Sequence, residues 1–129
     1  MGFVLGILST KFRYRISEIL KRYDLTEQFS AIVGGEDVQK SKPDPEGLQL
    51  LLEQIAMEPD QAILIGDSIT DAKTAFRGRV DFIAVLTGNN SADEFSAYSP
   101  TAVLESVTEF EKHAERIIAT DADNGFAGM

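Results

Sequence analysis

Two aspartates, Asp67 and Asp71, stand four residues apart directly behind an apolar run. Residues at this spacing are neighbours on a helix surface, so both carboxylates can face one point. Two carboxylates suit Mg²⁺, which proteins commonly hold with one or two carboxylates plus water and substrate phosphate. Gly66 would allow a ligand to approach the backbone closely. The alternative is helix capping by Ser68 or Thr70, with Asp71 favourably placed in the first turn.

Two further polar segments could bind an anion. Lys42 precedes Pro43, and its ammonium group could neutralise a phosphate or a carboxylate. Ser9 follows an apolar run and is followed by Thr10 and Lys11. A hydroxyl there can donate to a phosphoryl oxygen, and the backbone N–H groups that follow can assist. Taken singly, the lysine could equally be a solvated surface residue and the serine a strand-end or capping residue.

The elements that must position these residues follow from hydrophobic periodicity. Continuous apolar runs predict buried strands at 3–8, 31–33, 62–65, 82–86 and 102–104. Helical stripes predict a helix on Ile16, Ile19, Leu20 and Tyr23, another on Leu48, Leu51, Leu52 and Ile55, and further helices at 70–76 and 107–118. The second of these helices is expected to start with Asp44 as N-cap and Pro45 in the first turn.

Strand and helix alternate along the whole chain. That order predicts parallel strands with right-handed helical crossovers, and therefore a layered α/β fold. In such sheets, ligands bind at the carboxyl ends of the strands. The three polar segments lie at those ends or in the loops just beyond them, so we expect one common site.

Length and charge narrow the possible functions. A chain of 129 residues suits a single domain. The net charge of −9 argues against a nucleic-acid partner, and it requires local positive charge at any site for a phosphorylated substrate. The chain contains no cysteine, which suits a reducing compartment such as the cytoplasm. Its first apolar run lacks the basic residues of a signal peptide and is too short to span a membrane, and Gly6 does not fit a myristoylation motif.

The order of the three polar segments resembles the haloacid dehalogenase-like hydrolase superfamily, and within it the phosphoglycolate phosphatase-like branch. The resemblance covers residues 2–109. GILSTK is similar to the second motif of that branch, with Ser9 as its phosphate-binding hydroxyl. SKPDPE is similar to the third motif, with Lys42 as its lysine. GDSITD is similar to the fourth, with Asp67 as the magnesium ligand and Asp71 as its supporting carboxylate.

This resemblance implies a fold and a reaction. The fold would be a partial Rossmann-like core with three layers and a mostly parallel sheet. The reaction would be Mg²⁺-dependent hydrolysis of a small phosphorylated metabolite. The resemblance assigns phosphate binding to Ser9, Thr10 and Lys42, catalysis to Lys42, and the metal to Asp67 and Asp71. A receiver-like domain is a weaker alternative, because it gives no reason for the SKPDPE segment.

The first motif of the family, Asp-x-Asp-Gly-Thr, has no counterpart before Ser9. In the family that motif carries the nucleophile and the general acid/base and is followed by a helical cap. Asp121 and Asp123 repeat the Asp-x-Asp spacing, but the two residues after them are not Gly-Thr. We therefore expect residues 1–119 to form an incomplete core that is inactive alone and residues 120–129 to form a disordered tail.

The missing motif also has consequences for assembly. In the family, the nucleophile strand lies between the Ser9-bearing strand and the strand before Asp67. Without it, these two strands would leave a gap or pair directly, and open edges invite pairing with another chain. A homodimer or a complementing N-terminal segment is therefore expected. The alternatives are a fragment of an ordinary phosphatase, a half-enzyme completed by a second polypeptide, and a non-catalytic binding or structural module. The substrate stays open, because the cap largely sets specificity.

Overall fold

A computed structural model of the chain describes residues 4–105. The strands are β1 (Gly6–Leu8), β2 (Ala31–Val33), β3 (Ile63–Gly66), β4 (Asp81–Val85) and β5 (Ala102–Leu104). The α-helices are α1 (Arg13–Arg22), α2 (Glu46–Ile55), α3 (Ile69–Gly78) and α4 (Ala92–Ser96). Short 3-10 helices occur at Thr26–Gln28, Gly35–Asp37 and Pro59–Gln61.

The strands form two parallel sheets. β1 pairs with β2, with Ile7 opposite Ile32. The second sheet has the order β3-β4-β5, with Ile65 opposite Ile83. All pairings are parallel, and helices connect the strands of each pair, so the predicted α/β class is confirmed.

No ladder joins the two sheets among residues 4–105. There, β1 is paired only with β2, and β3 is paired only with β4. Of the two arrangements expected in the absence of the nucleophile strand, direct pairing of β1 with β3 is therefore not the one observed. One edge of β1 and one edge of β3 are left without a strand partner within the described range.

A shared core holds the two sheets together despite the missing ladder. One cluster of buried side chains combines Leu8 and Val33 of the first sheet with Leu64 of the second and with Leu48 and Leu51 of α2. Separate clusters lie elsewhere: Ile7 packs with Ile16 and Leu20 of α1, and Ile63, Ile65, Ile83, Val85 and Leu104 pack together on the second sheet. Buried apolar area of this kind is the main stabilising term in folding.

The helix boundaries differ from the sequence-based expectations in one informative place. Helix α2 begins at Glu46 with Pro45 as its N-cap, so the predicted N-cap at Asp44 is wrong by one residue. Asp44 nevertheless accepts a hydrogen bond from the backbone N–H of Glu46 at 2.9 Å. Because the proline has no N–H, the carboxylate satisfies the first free donor beyond it.

Other boundaries were predicted with errors of a few residues. Strand β1 is shorter than the predicted 3–8, and α4, which has only five residues, was not predicted. The predicted helix at 107–118 and the predicted tail at 120–129 lie outside the described residues. Within residues 4–105, no helix has the length and apolar character that crossing a membrane requires.

Candidate functional site

The first segment of the site is the loop that leaves the carboxyl end of β1. Ser9 extends the ladder, donating its N–H to the Val33 carbonyl oxygen at 2.9 Å, and its side chain is buried. Its Oγ accepts a hydrogen bond from the Lys11 N–H at 3.1 Å. Because Oγ acts there as the acceptor, its own proton is still available for a ligand oxygen. Thr10 is exposed next to it.

The loop after β2 holds this first segment in place. The Gly35 N–H donates to the Lys11 carbonyl oxygen at 2.9 Å, and Glu36 Oε1 accepts from the Arg13 N–H at 2.8 Å. That N–H belongs to the first residue of α1, which has no intrahelical partner, so Glu36 caps the helix from 23 positions away. The guanidinium of Arg13 also forms an ion pair with Asp37 at 3.4 Å.

Lys42 and Asp71 form the central contact of the site. Lys42 Nζ lies 2.6 Å from Asp71 Oδ1, and the two side chains are only 10% and 2% exposed. The second carboxylate oxygen, Oδ2, accepts the hydroxyl proton of Ser68 at 2.9 Å. Both oxygens of Asp71 are thus engaged within the protein, so this carboxylate fixes the lysine in a short, charge-assisted hydrogen bond.

Ser68 also caps α3, as one alternative reading of the sequence predicts. Its Oγ accepts from the Asp71 N–H at 3.2 Å. The role of Gly66 differs from the expectation that a ligand approaches there. A side chain at that position would place its Cβ 2.5 Å from the Cβ of Asp71. The glycine therefore makes room for Asp71 itself.

Asp67 is the second carboxylate of the site. It is half-buried, and burial raises its pKa, with the negative charge of Asp71 as the next cause. A hydrogen bond from its own backbone, the charge of Lys42 and a hydrogen bond from Thr87 oppose that rise. A carboxylate whose charged form is disfavoured in this way gains from a nearby cation.

The donor set suits a hard cation bound by few protein groups. Residues 4–105 contain no cluster of three or more histidine, cysteine, aspartate or glutamate side chains able to hold a metal. Mg²⁺ does not need one, because it keeps several waters and takes one or two carboxylates together with substrate phosphate. Asp67 can supply one such carboxylate, so the residues present fit Mg²⁺ but not a metal that requires a full protein cage.

The structure brings together only part of the predicted site directly. Lys42 contacts Asp71, and Asp67 interacts with both through charge. Ser9 makes the hydrogen bonds described above within the half built on β1 and β2.

Sequence reasoning assigned no role to three side chains: Glu36, Thr87 and Asn90. Each follows the end of a strand and lies within two residues of a glycine. That pattern of a glycine beside a polar residue at the carboxyl end of a parallel strand is the signal that could have found them.

Comparison with known proteins identifies relatives across most of the chain. A family model described as haloacid dehalogenase-like hydrolase matches residues 1–85. A phosphoglycolate phosphatase from Salmonella paratyphi A is 29% identical over 108 residues, which is 84% of this chain and 43% of that protein. The Escherichia coli K12 phosphoglycolate phosphatase is 28% identical over the same length. The chain thus spans about two fifths of these curated relatives.

Solved structures agree with this result. A crystal structure from Bacteroides fragilis, described as a haloacid dehalogenase-like hydrolase, is 39% identical with a TM-score of 0.80, and the match covers 83% of this chain and 51% of that one. A Clostridium acetobutylicum protein described as a predicted phosphatase is 27% identical with a TM-score of 0.79, over 90% of this chain and 54% of that one. The arrangement of helices and parallel strands is therefore one that solved hydrolases share.

Proposed function

This chain belongs to the haloacid dehalogenase-like hydrolase family, and from that premise we propose that it forms the phosphate- and cation-binding part of a phosphomonoester hydrolase. The observation that carries the proposal is the buried 2.6 Å pair of Lys42 and Asp71 beside Asp67. Burying such a pair carries a desolvation penalty that can exceed the attraction between the two charges, so stability alone does not account for its presence. A function that needs an ammonium group in a fixed position explains the buried pair better. The similarity to phosphoglycolate phosphatases supports a small phosphorylated metabolite as substrate.

Each residue has a distinct task in this proposal. Asp71, which accepts the hydroxyl proton of Ser68, holds the Lys42 ammonium group, and that ammonium group neutralises charge on the transferring phosphoryl group. The hydroxyl of Ser9 donates to a second phosphoryl oxygen, and the backbone N–H of Thr10 lies on the same loop. This local positive potential compensates for the net charge of −9, which by itself repels a phosphate.

Asp67 is the residue that would hold Mg²⁺ in this proposal. Burial raises its pKa, with the negative charge of Asp71 as the next cause, and a divalent cation would favour the charged carboxylate. Bound there, Mg²⁺ would stabilise negative charge on the phosphoryl oxygens. Asp71 acts one step removed, through Lys42 and Ser68, rather than as a second ligand. We also place the reaction in the cytoplasm, which the absence of cysteine suits.

The nucleophile belongs to a strand that would pair with β1 and β3. The family resemblance places an aspartate there, and the unpaired edges of β1 and β3 within residues 4–105 are compatible with that position. Its carboxylate oxygen would attack phosphorus while the ester P–O bond breaks. The leaving alkoxide would take a proton from the general acid/base that the family resemblance places in the same motif, and that group would recover a proton from the attacking water in the next step. Water would then cleave the acyl phosphate, releasing phosphate and restoring the carboxylate. The strand comes from outside residues 4–105 or from a second polypeptide, and pairing of two copies is the competing arrangement.

Complementation tests the proposal. The chain is assayed with p-nitrophenyl phosphate and Mg²⁺, alone and together with the part of the Bacteroides fragilis hydrolase that the match does not cover. We expect turnover only in the mixture, and loss of turnover with Lys42→Ala. The matched control is Lys40→Ala, an exposed lysine two residues away. Turnover by the chain alone would contradict the proposal that the nucleophile is supplied by another segment. Turnover that survives Lys42→Ala would contradict the proposed role of Lys42 in neutralising the phosphoryl group.

A further inference from the structure

The loop after β4 touches the turn between β3 and α3 at three points. Thr87 forms a side-chain hydrogen bond with the Asp67 carboxylate. Gly88 lies against the Asp67 backbone, where a Cβ would sit 2.5 Å from the carbonyl oxygen. The Asn90 Oδ1 accepts a hydrogen bond from the Ile69 N–H at 3.1 Å. The same short loop therefore contacts the side chain and the carbonyl group of Asp67 and the N–H two residues later.

The contact with Ile69 completes the start of α3. Ile69 is the first residue of that helix, and its N–H is one of the four that no residue within the helix can satisfy. Ser68 satisfies the N–H of Asp71, and Asn90 satisfies the N–H of Ile69. Together they fix the backbone that follows Ser68, directly after the turn that carries Asp67.

The orientation of Asn90 is itself determined by a second contact. Its Nδ2 donates to Glu94 Oε2 at 2.9 Å, so its oxygen must face Ile69. Glu94 is held in turn, because its Oε1 accepts the Ser91 N–H at 3.0 Å. Helix α4, which carries Glu94, is anchored by the buried Phe95, whose ring centroid lies 5.9 Å from that of Phe82 on β4. A chain of directed bonds thus runs from the core to the backbone beside Asp67.

We propose that Asn90 is a positioning residue for the cation site, acting through the Ile69 N–H to aim the Asp67 carboxylate. The inference rests on the proposed function, since it takes Asp67 as the carboxylate that receives a hard divalent cation. It goes beyond that function by assigning to Asn90 and Glu94 a role in orienting Asp67, from which they are distant in sequence. Groups that orient a metal ligand without touching the metal typically change affinity about 10- to 100-fold when removed.

The test uses the whole chain, Mg²⁺ as the probe, and backbone amide shifts as the readout. The dissociation constant of Mg²⁺ at the 66–68 turn is compared between wild type, Asn90→Ala and the matched control Asn89→Ala. Asn89 is exposed and adjacent. We expect affinity to fall about tenfold or more in Asn90→Ala, with the amide of Ile69 exchanging faster, and to stay within about twofold in the control.

An exchange of donor and acceptor separates a positioning role from a merely structural one. Asn90→Asp keeps an acceptor for Ile69 but sets two carboxylates against each other, so we expect weaker Mg²⁺ binding. Combining it with Glu94→Gln restores the bond with the roles reversed at unchanged net charge, and we expect affinity to return. Asn89→Asp controls for the added charge.

The outcomes distinguish a failure of the cation site at Asp67 from a failure of the positioning role of Asn90. If wild type shows no Mg²⁺ perturbation at the 66–68 turn, the cation site fails and the role of Asn90 fails with it. If wild type binds there and Asn90→Ala binds equally well, only the positioning role is overturned. The same conclusion follows if Asn90→Asp binds weakly and the Glu94→Gln partner change does not restore affinity.

Discussion

The two halves of the candidate site are built on the same plan. In each half, a strand ends in a loop that carries site residues, and the loop after the neighbouring strand holds it. In each half, a glycine of the second loop lies against a carbonyl oxygen of the first loop. A Cβ added to Gly35 would lie 2.4 Å from the Thr10 oxygen, and a Cβ added to Gly88 would lie 2.5 Å from the Asp67 oxygen. A side-chain oxygen then accepts the first N–H of the helix, from Glu36 in one half and from Asn90 in the other.

The halves differ in charge and in burial. The half on β1 and β2 is held by Glu36, a carboxylate at the surface, next to an ion pair in which Arg13 is 56% exposed. The half on β3 and β4 is held by a neutral amide next to two carboxylates, and its ion pair is almost fully buried. A carboxylate at position 90 would add a further negative charge near Asp67, whose pKa is already raised by burial and by the charge of Asp71. The same arrangement therefore uses an exposed carboxylate in one half and a partly buried neutral amide in the other.

The largest expected effect comes from breaking the buried pair. Asp71→Asn leaves the ammonium group of Lys42 buried without its counter-charge, and we expect a loss of about 3 kcal/mol in the free energy of unfolding. Urea denaturation measures it. Glu36→Gln in the other half is the control and should cost less than about 1 kcal/mol. Equal costs in the two halves would show that burial does not separate them.

Replacing Asp67 is expected to raise the stability of the fold rather than lower it. Because its pKa is raised above 3.8 in the folded state, the folded protein holds this proton more tightly, and stability falls as pH rises from 3.8 through the folded pKa. Asp67→Asn removes that penalty, so we expect a higher Tm than wild type at pH 7 without Mg²⁺, with the difference disappearing at pH 3. Thermal unfolding at the two pH values measures it. A lower Tm at pH 7 would mean that Asp67 stabilises the fold and would weaken its assignment as a ligand.

The smallest effect is expected at Glu36, the exposed residue that accepts the first N–H of α1. Glu36→Ala removes the cap of α1, and we expect a cost of about 0.5–1 kcal/mol with faster amide exchange confined to the Arg13 end of the helix. Glu27→Ala, another exposed glutamate, is the control. Faster exchange at Ile69 in Glu36→Ala would show that the two halves are coupled, which contradicts their separate construction.

The sequence predicted the strands that are formed by continuous apolar runs. The strands around Leu64 and Ile83 are covered on both faces, so their residues are apolar without alternation and stand out. Motif spacing singles out Ser9, Lys42, Asp67 and Asp71 as candidate site residues. Motif spacing does not show that Lys42 and Asp71 contact each other, because they are 29 positions apart in sequence.

The contacts that hold the starts of α1 and α3 could not be predicted, for a similar reason. Asn90 meets Ile69 across 21 positions, and Glu36 meets Arg13 across 23. Local patterns place the glycines in loops but do not show which helix start each loop will reach. That depends on which strands become neighbours, and the order β3-β4-β5 and the separate pair β1-β2 emerge only in the folded chain.

One titration tests most directly whether the two halves together make a phosphate and cation site. The chain is titrated first with Mg²⁺ and then with inorganic phosphate while backbone amide shifts are followed. We predict that Mg²⁺ perturbs the 66–68 turn, and that phosphate then perturbs the 9–11 loop and the amide of Lys42. Asp67→Ala should abolish the first response, and Lys42→Ala the second. Perturbations that cluster elsewhere, or that persist unchanged in both variants, would contradict the account.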